Sequence, residues 1–123
     1  MRPTRGCVFV VDDEEAIRRS LCMLLQAEGL VVRAFASAAE AIAAFDDVRP
    51  ACILTDYHMP DMSGMDLVRE IRRRDPGMPL VVMTGTDDPG QLRLDAHVRL
   101  VEKPFDATAL ARLLTSLMDE RGG

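Results

Sequence analysis

Short apolar runs alternate with helix-period segments along this chain. "CVFVV" (Cys7–Val11) reads as a buried strand, and Ile17, Leu21, Leu24 and Leu25 then recur at i, i+4, i+7 and i+8, one face of a helix. "LVVRAF" is a second strand. After it, Ser37-Ala-Ala-Glu40 has capping-box spacing and opens a helix with Ala38, Ala41, Ile42 and Phe45 on one side. "ACILT" is a third strand; beyond Pro60, Ser63 is placed to cap a helix whose inner face carries Leu67, Val68 and Ile71. "MPLVVMT" is a fourth strand, followed by Asp88-Pro89 as an N-cap with Pro at the first helical position. "HVRLVE" is a fifth, and Leu110, Leu113, Leu114 and Leu117 mark a last amphipathic helix. Five strand-helix units without a linker, repeat or low-complexity stretch predict an α/β fold. Its sheet is doubly wound and parallel, covered on both faces, with strand order 2-1-3-4-5.

Composition narrows the class without changing the fold. The chain has 123 residues, enough for one domain with a substantial core, and is 48% hydrophobic and 28% charged. Its net charge of -5 argues against nucleic acid as a direct partner, which requires a basic surface. No apolar run reaches the length of a membrane span, and the start "MRPTRGCVFVVDDEE" lacks a signal-peptide cleavage site. Cys7, Cys22 and Cys52 are odd in number and form no Cys-x-x-Cys pair, so they read as reduced core thiols of a cytoplasmic protein.

The chemistry gathers at the strand ends. In doubly wound sheets the functional crevice lies at the carboxyl ends of the strands, beside the switch point. There the first strand ends in Asp12-Asp13, the third in Asp56, the fourth in Thr84 and the fifth in Lys103. Taken singly, each has a plain reading: acids at a helix start, a turn aspartate, a strand-end threonine, a surface lysine. Together they put three carboxylates in one crevice, where they repel unless a cation intervenes. Hard oxygen ligands suit Mg²⁺, which keeps several waters and commonly also binds phosphate. A hydroxyl and an ammonium suit phosphoryl oxygens, and a carboxylate nucleophile beside Mg²⁺ can form an acyl phosphate.

At "VVDDE" (Val10–Glu14), "LTDYHMPDMSG" (Leu54–Gly64), "VVMTG" (Val81–Gly85) and "VEKPF" (Val101–Phe105), the chain resembles the response-regulator receiver domains of two-component signalling. The resemblance runs over about residues 7–118, with 1–123 expected to be one receiver domain of the flavodoxin-like sandwich type. It implies that Asp56 accepts a phosphoryl group from the phosphohistidine of a sensor kinase or phosphotransfer protein. Asp13 and Asp56 would bind Mg²⁺ directly, Asp12 through water, and the backbone carbonyl of His58 would complete the protein ligands. Thr84 and Lys103 would hold the phosphoryl oxygens, and the Lys103-Pro104 bond would be cis. The turn "MPDMSG" would support the site, and small Gly85 would leave it open. A downstream protein, identity unspecified, would read the state of the site.

Two departures qualify that picture. Where receivers usually carry Phe or Tyr, three residues before the lysine, this chain has Leu100. The stretch between Thr84 and Lys103 is short, which predicts a short or irregular fourth helix. The resemblance implies an aromatic switch at the position where Leu100 stands, and a homodimer through the helix 4, strand 5 and helix 5 face. These are the two features on which the sequence departs from the family pattern. The rivals to a stand-alone, non-enzymatic switch are a receiver module of a hybrid kinase or larger regulator, and a pseudo-receiver that is never phosphorylated. A phosphatase of the haloacid-dehalogenase type would need an acid two residues after Asp56, where His58 stands. A nucleotide fold would need a Gly-rich loop after the first strand, where the loop is acidic. His58 and His97 do not have the spacing of a metal pair, and Arg69, Arg72, Arg73 and Arg74 read as a solvated helix face. The methionines of "HMPDMSGM" read as loop anchors and core filler.

Overall fold

A computed structural model describes residues 7–60, 62–85, 98–103 and 106–122. The elements in chain order are β1 (Cys7–Val11), α1 (Glu15–Ala27), β2 (Val31–Phe35), α2 (Ala38–Asp47), β3 (Cys52–Asp56), α3 (Gly64–Arg74), β4 (Leu80–Thr84), β5 (Val98–Glu102) and α4 (Ala107–Gly122). All strand pairs are parallel, and the sheet order is β2-β1-β3-β4-β5. The expected helix beginning at Asp88-Pro89, and Pro104 with its peptide bond, lie outside the described residues.

Strand periodicity divides the core into two layers. Phe9, Val11, Ile53, Leu80, Val82 and Val98 face α2 and α3, meeting Ala41, Phe45, Leu67 and Ile71. Val8, Val10, Cys52, Leu54, Val81 and Met83 face α1 and α4, meeting Leu21, Leu25, Leu110 and Leu114. β1, β3 and β4 are buried at every position, as expected of strands covered on both sides. Burial of Cys52 pushes its thiol up to about 12, and the shifts of Cys7 and Cys22 are also upward from burial. All three are free thiols, but only Cys7 and Cys52 lie in the core; Cys22, on α1, is half-buried.

β2 lies on the sheet edge, and most of its positions are exposed. Arg33 lies over the rings of Phe9 and Phe35, at 5.6 and 5.5 Å from their centroids. This places a charge on an edge that would otherwise offer an apolar pairing surface. Leu24 departs from the expected inner face of α1: it is 44% exposed, whereas Leu21 and Leu25 are buried and Ile17 packs half-buried beside them. The i+7 position falls at the rim of a stripe this narrow. The expected inner faces of α2 and α3 hold, with Ile42 half-buried at the margin of the first.

Helix starts set the loops above the sheet. Ser37 Oγ accepts the Glu40 N–H at 3.2 Å, but the Glu40 carboxylate takes the N–H of Ala36, not that of the cap residue. Ser63 and Asp66 close a full capping box, at 3.1 and 3.2 Å. α3 therefore begins at a fixed point, directly above the end of β3.

Phe45 is fully buried between α2 and the sheet. Phe45→Ala should cost about 3–5 kcal/mol of unfolding free energy. A urea titration of the variant beside the parent reads this from the midpoint at unchanged slope.

Candidate functional site

The sheet's register brings the carboxyl ends of the strands together. Val11 pairs with Thr55, so the next residues, Asp12 and Asp56, stand side by side at the ends of β1 and β3. Asp56 pairs with Met83, leaving Thr84 one step beyond on β4, where it pairs with Glu102; Lys103 follows at the end of β5. Backbone bonds continue the ladder past its formal end. Asp12 N donates to Phe35 O at 3.1 Å, Tyr57 N to Met83 O at 2.9 Å, and Lys103 N to Thr84 O at 2.8 Å.

At this rim Asp12, Asp13 and Asp56 offer carboxylate oxygens that all lie within 4.8 Å of one another. Asp12 is fully buried, Asp56 nearly so, and Asp13 exposed. Lys103 reaches into the group, its Nζ 3.0 Å from Asp56 Oδ1. Thr84 is buried beside them, 8% exposed. His58 follows on the exposed loop, its ring edge-on to that of Tyr57 at 4.8 Å. The sequence-based set is thus gathered at one rim, and within it Lys103 and Asp56 meet side chain to side chain.

Asp12 carries the local strain in electrostatic form. Its Oδ1 accepts the Glu14 N–H at 2.9 Å, while its buried Oδ2 has no hydrogen-bond partner. Burial holds its carboxyl above the usual carboxylate range, and the charges of Asp56 and Asp13 push the same way. The Glu14 N–H and the Lys103 charge oppose this without cancelling it. A buried carboxylate oxygen without a donor, facing two more acids, is an oxygen set that a hard cation would complete. The acidic group can hold a metal ion.

Two residues at this rim carry no role in the sequence-based set. Gly64, the first residue of α3, lies so close to β3 that a Cβ there would overlap Asp56 O and come within 3.0 Å of the Tyr57 Cα. Its N–H donates to Tyr57 O at 2.8 Å, tying the helix start to the strand end. Arg18 Nη1 donates to the backbone carbonyl of Asp12 at 2.8 Å. The glycine after a serine cap was visible as part of "DMSG", but close approach of two backbones leaves no mark in a single sequence. Arg18 was legible only as one of two basic residues on an exposed helix.

A family model described as "Response regulator receiver domain" matches residues 8–115. The chain belongs to that family. Among curated receiver-containing proteins, it is 39% identical over 107 residues to "Transcriptional regulatory protein FixJ" of Azorhizobium caulinodans, covering 84% of this chain and 50% of the relative. The chain spans about half the length of the FixJ relatives it matches, and less of the NtrC ones. Among solved receivers, a response regulator receiver domain protein from Clostridium thermocellum superposes with a TM-score of 0.84 at 27% identity, over 94% of this chain and 96% of that one. The structure titled FixJ-N gives 0.78 at 33% identity, over 92% and 93%. The receiver fold, a signalling module, is therefore shared from end to end of the described sheet. Among the described residues, no helix is long and apolar enough to cross a membrane.

Two outcomes test this geometry. Gly64→Ala should lower stability by about 1–3 kcal/mol, because backbone cannot yield to the added methyl as a side chain would; chemical denaturation measures it. Asp12→Asn should raise the melting temperature of the cation-free protein at neutral pH, since a buried oxygen without a partner costs about 1–3 kcal/mol. The folded-state carboxyl is shifted up, so folding favours its protonated form relative to the unfolded chain. The penalty is therefore absent below the ordinary carboxylate range, grows as pH rises from that range to the raised one, and is complete above it. The gain from Asn should shrink accordingly in melts run toward acid pH.

Proposed function

We propose that this receiver is a phosphorylatable switch in which Asp56 is the acceptor. The observation that carries the reading is the pairing of a nearly buried Asp56 with Lys103, inside a group of three acids that includes an oxygen without a partner. In the reaction, an Asp56 carboxylate oxygen attacks the phosphorus of a phosphohistidine. The O–P bond forms, the P–N bond breaks, and the imidazole leaves with the electron pair. Lys103 counters the negative charge of the incoming phosphoryl group from its place beside Asp56, and the Thr84 hydroxyl supplies a second donor. Asp12, Asp13 and Asp56, with the His58 carbonyl, would hold Mg²⁺, which when bound supplies charge neutralisation to the phosphoryl oxygens. Hydrolysis of the aspartyl phosphate resets the switch, slowly and without making the chain an enzyme in its own right.

The donor on this reading is a cytoplasmic sensor histidine kinase or phosphotransfer protein, and the output is an altered contact with a downstream protein. The FixJ relatives, by their name, favour transcription as the process served. The chain, residues 1–123, is read as one receiver unit with its core at about 7–118.

The test is intact mass after incubation with Mg²⁺ and acetyl phosphate. One added phosphoryl group is expected, labile in base, absent when EDTA is present during the incubation and absent from Asp56→Asn. An adduct that survives in Asp56→Asn would move the acceptor elsewhere. No adduct with either acetyl phosphate or a kinase phosphodomain would leave the pseudo-receiver, which signals by contact alone.

A further inference from the structure

Every polar backbone and side-chain atom of Asp12 but one is bonded. Its N–H donates to Phe35 O, its Oδ1 accepts from Glu14 N, and its carbonyl accepts from Arg18 Nη1; Oδ2 remains. The Arg18 bond differs from the others in what it controls. A peptide unit is planar, so the carbonyl of Asp12 lies in one plane with the nitrogen and Cα of Asp13. Holding that carbonyl fixes the direction in which the chain leaves a buried acid for an exposed one. Arg18 is well placed to do so. Its own N–H is anchored to Glu14 O at 2.9 Å in the first turn of α1, and helical side chains lean back toward the turn before them.

We propose that Arg18 is a positioning residue for the cation site, holding the Asp12–Asp13 peptide so that both acids face Asp56. The inference rests on the reading of these acids as a Mg²⁺ site. The guanidinium is spent on a backbone carbonyl, so it adds positive charge near three acids without occupying any of their carboxylate oxygens.

Charge and position predict opposite signs for its removal. A cation beside a cation site repels the incoming ion, so loss of Arg18 by charge alone would tighten Mg²⁺ binding. Loss of positioning would weaken it, and groups that orient metal ligands typically contribute roughly 10–100-fold in affinity.

Calorimetric titration of Mg²⁺ into the wild type, Arg18→Ala and Asp12→Asn decides between them. The expected result is a Kd for Arg18→Ala higher by roughly tenfold, with the half-saturating Mg²⁺ for acetyl phosphate labelling rising in parallel. A Kd that is unchanged or lower in Arg18→Ala, while the wild type binds and Asp12→Asn does not, overturns the inference and leaves the site standing. Absence of Mg²⁺ binding by the wild type overturns both. If Arg18→Ala does not fold, Arg18→Met keeps the stem without the donor and is read the same way.

Discussion

Three carboxylates held within 4.8 Å of one another, one of them fully buried, are the constraint around which the rest of this molecule is arranged. Like charges at that distance favour separation, and desolvation of Asp12 adds to the cost. They stay together because they are not free to part. Asp12 and Asp56 continue the register of two central parallel strands whose other residues are buried on both faces. Slipping either strand by one residue would turn every apolar side chain of it to the wrong layer. The hydrophobic core thus enforces an electrostatic arrangement that the acids alone would reject.

The counter-charge is supplied at two distances. Lys103 meets Asp56 directly, with Asp56 well buried and the lysine about a third exposed. Its geometry is inherited from the sheet as well, because the Lys103 N–H extends the β4–β5 ladder to Thr84 O. Lys103 and Thr84 are therefore mechanically joined, although they lie on different strands. Arg18 acts from the other side, on the backbone between the two neighbouring acids. Neither cation reaches Asp12 Oδ2, and that leaves the oxygen for a ligand from outside.

What could be read from the sequence divides along physical lines. Apolar periodicity gave all five described strands and the inner faces of the helices, because burial is a property each residue votes on independently. It failed at Leu24, where the stripe is narrower than the pattern; the capping-box spacing at Ser37 gave the cap but not its return bond, because the Glu40 carboxylate bonds the N–H before the cap. The proposed site residues could be placed together because each lies at or just past the carboxyl end of a strand, and topology alone brings those ends together. Gly64 and Arg18 were not legible in their roles. One acts by lacking atoms where two backbones meet, the other through a carbonyl, and neither kind of partner has a residue type that a sequence could display. Leu100, read from sequence as a departure, is 37% exposed and pairs with Val82.

The two ends of the sheet follow different rules. Near the amino ends of the strands, polar groups are satisfied: Asp75 accepts the Gly77 N–H and lies beside Arg49, while Arg74 joins Asp46 to Glu70 across α2 and α3. At the carboxyl ends stand a buried acid with an unmet oxygen and a glycine pressed against the strand backbone. Among the described residues, conflict with local rules falls at this rim, which is where a functional site is expected to break them. Stability here is concentrated in the two apolar layers. The rim can then hold three acids in a geometry that they would not adopt by themselves, and that can take a metal ion.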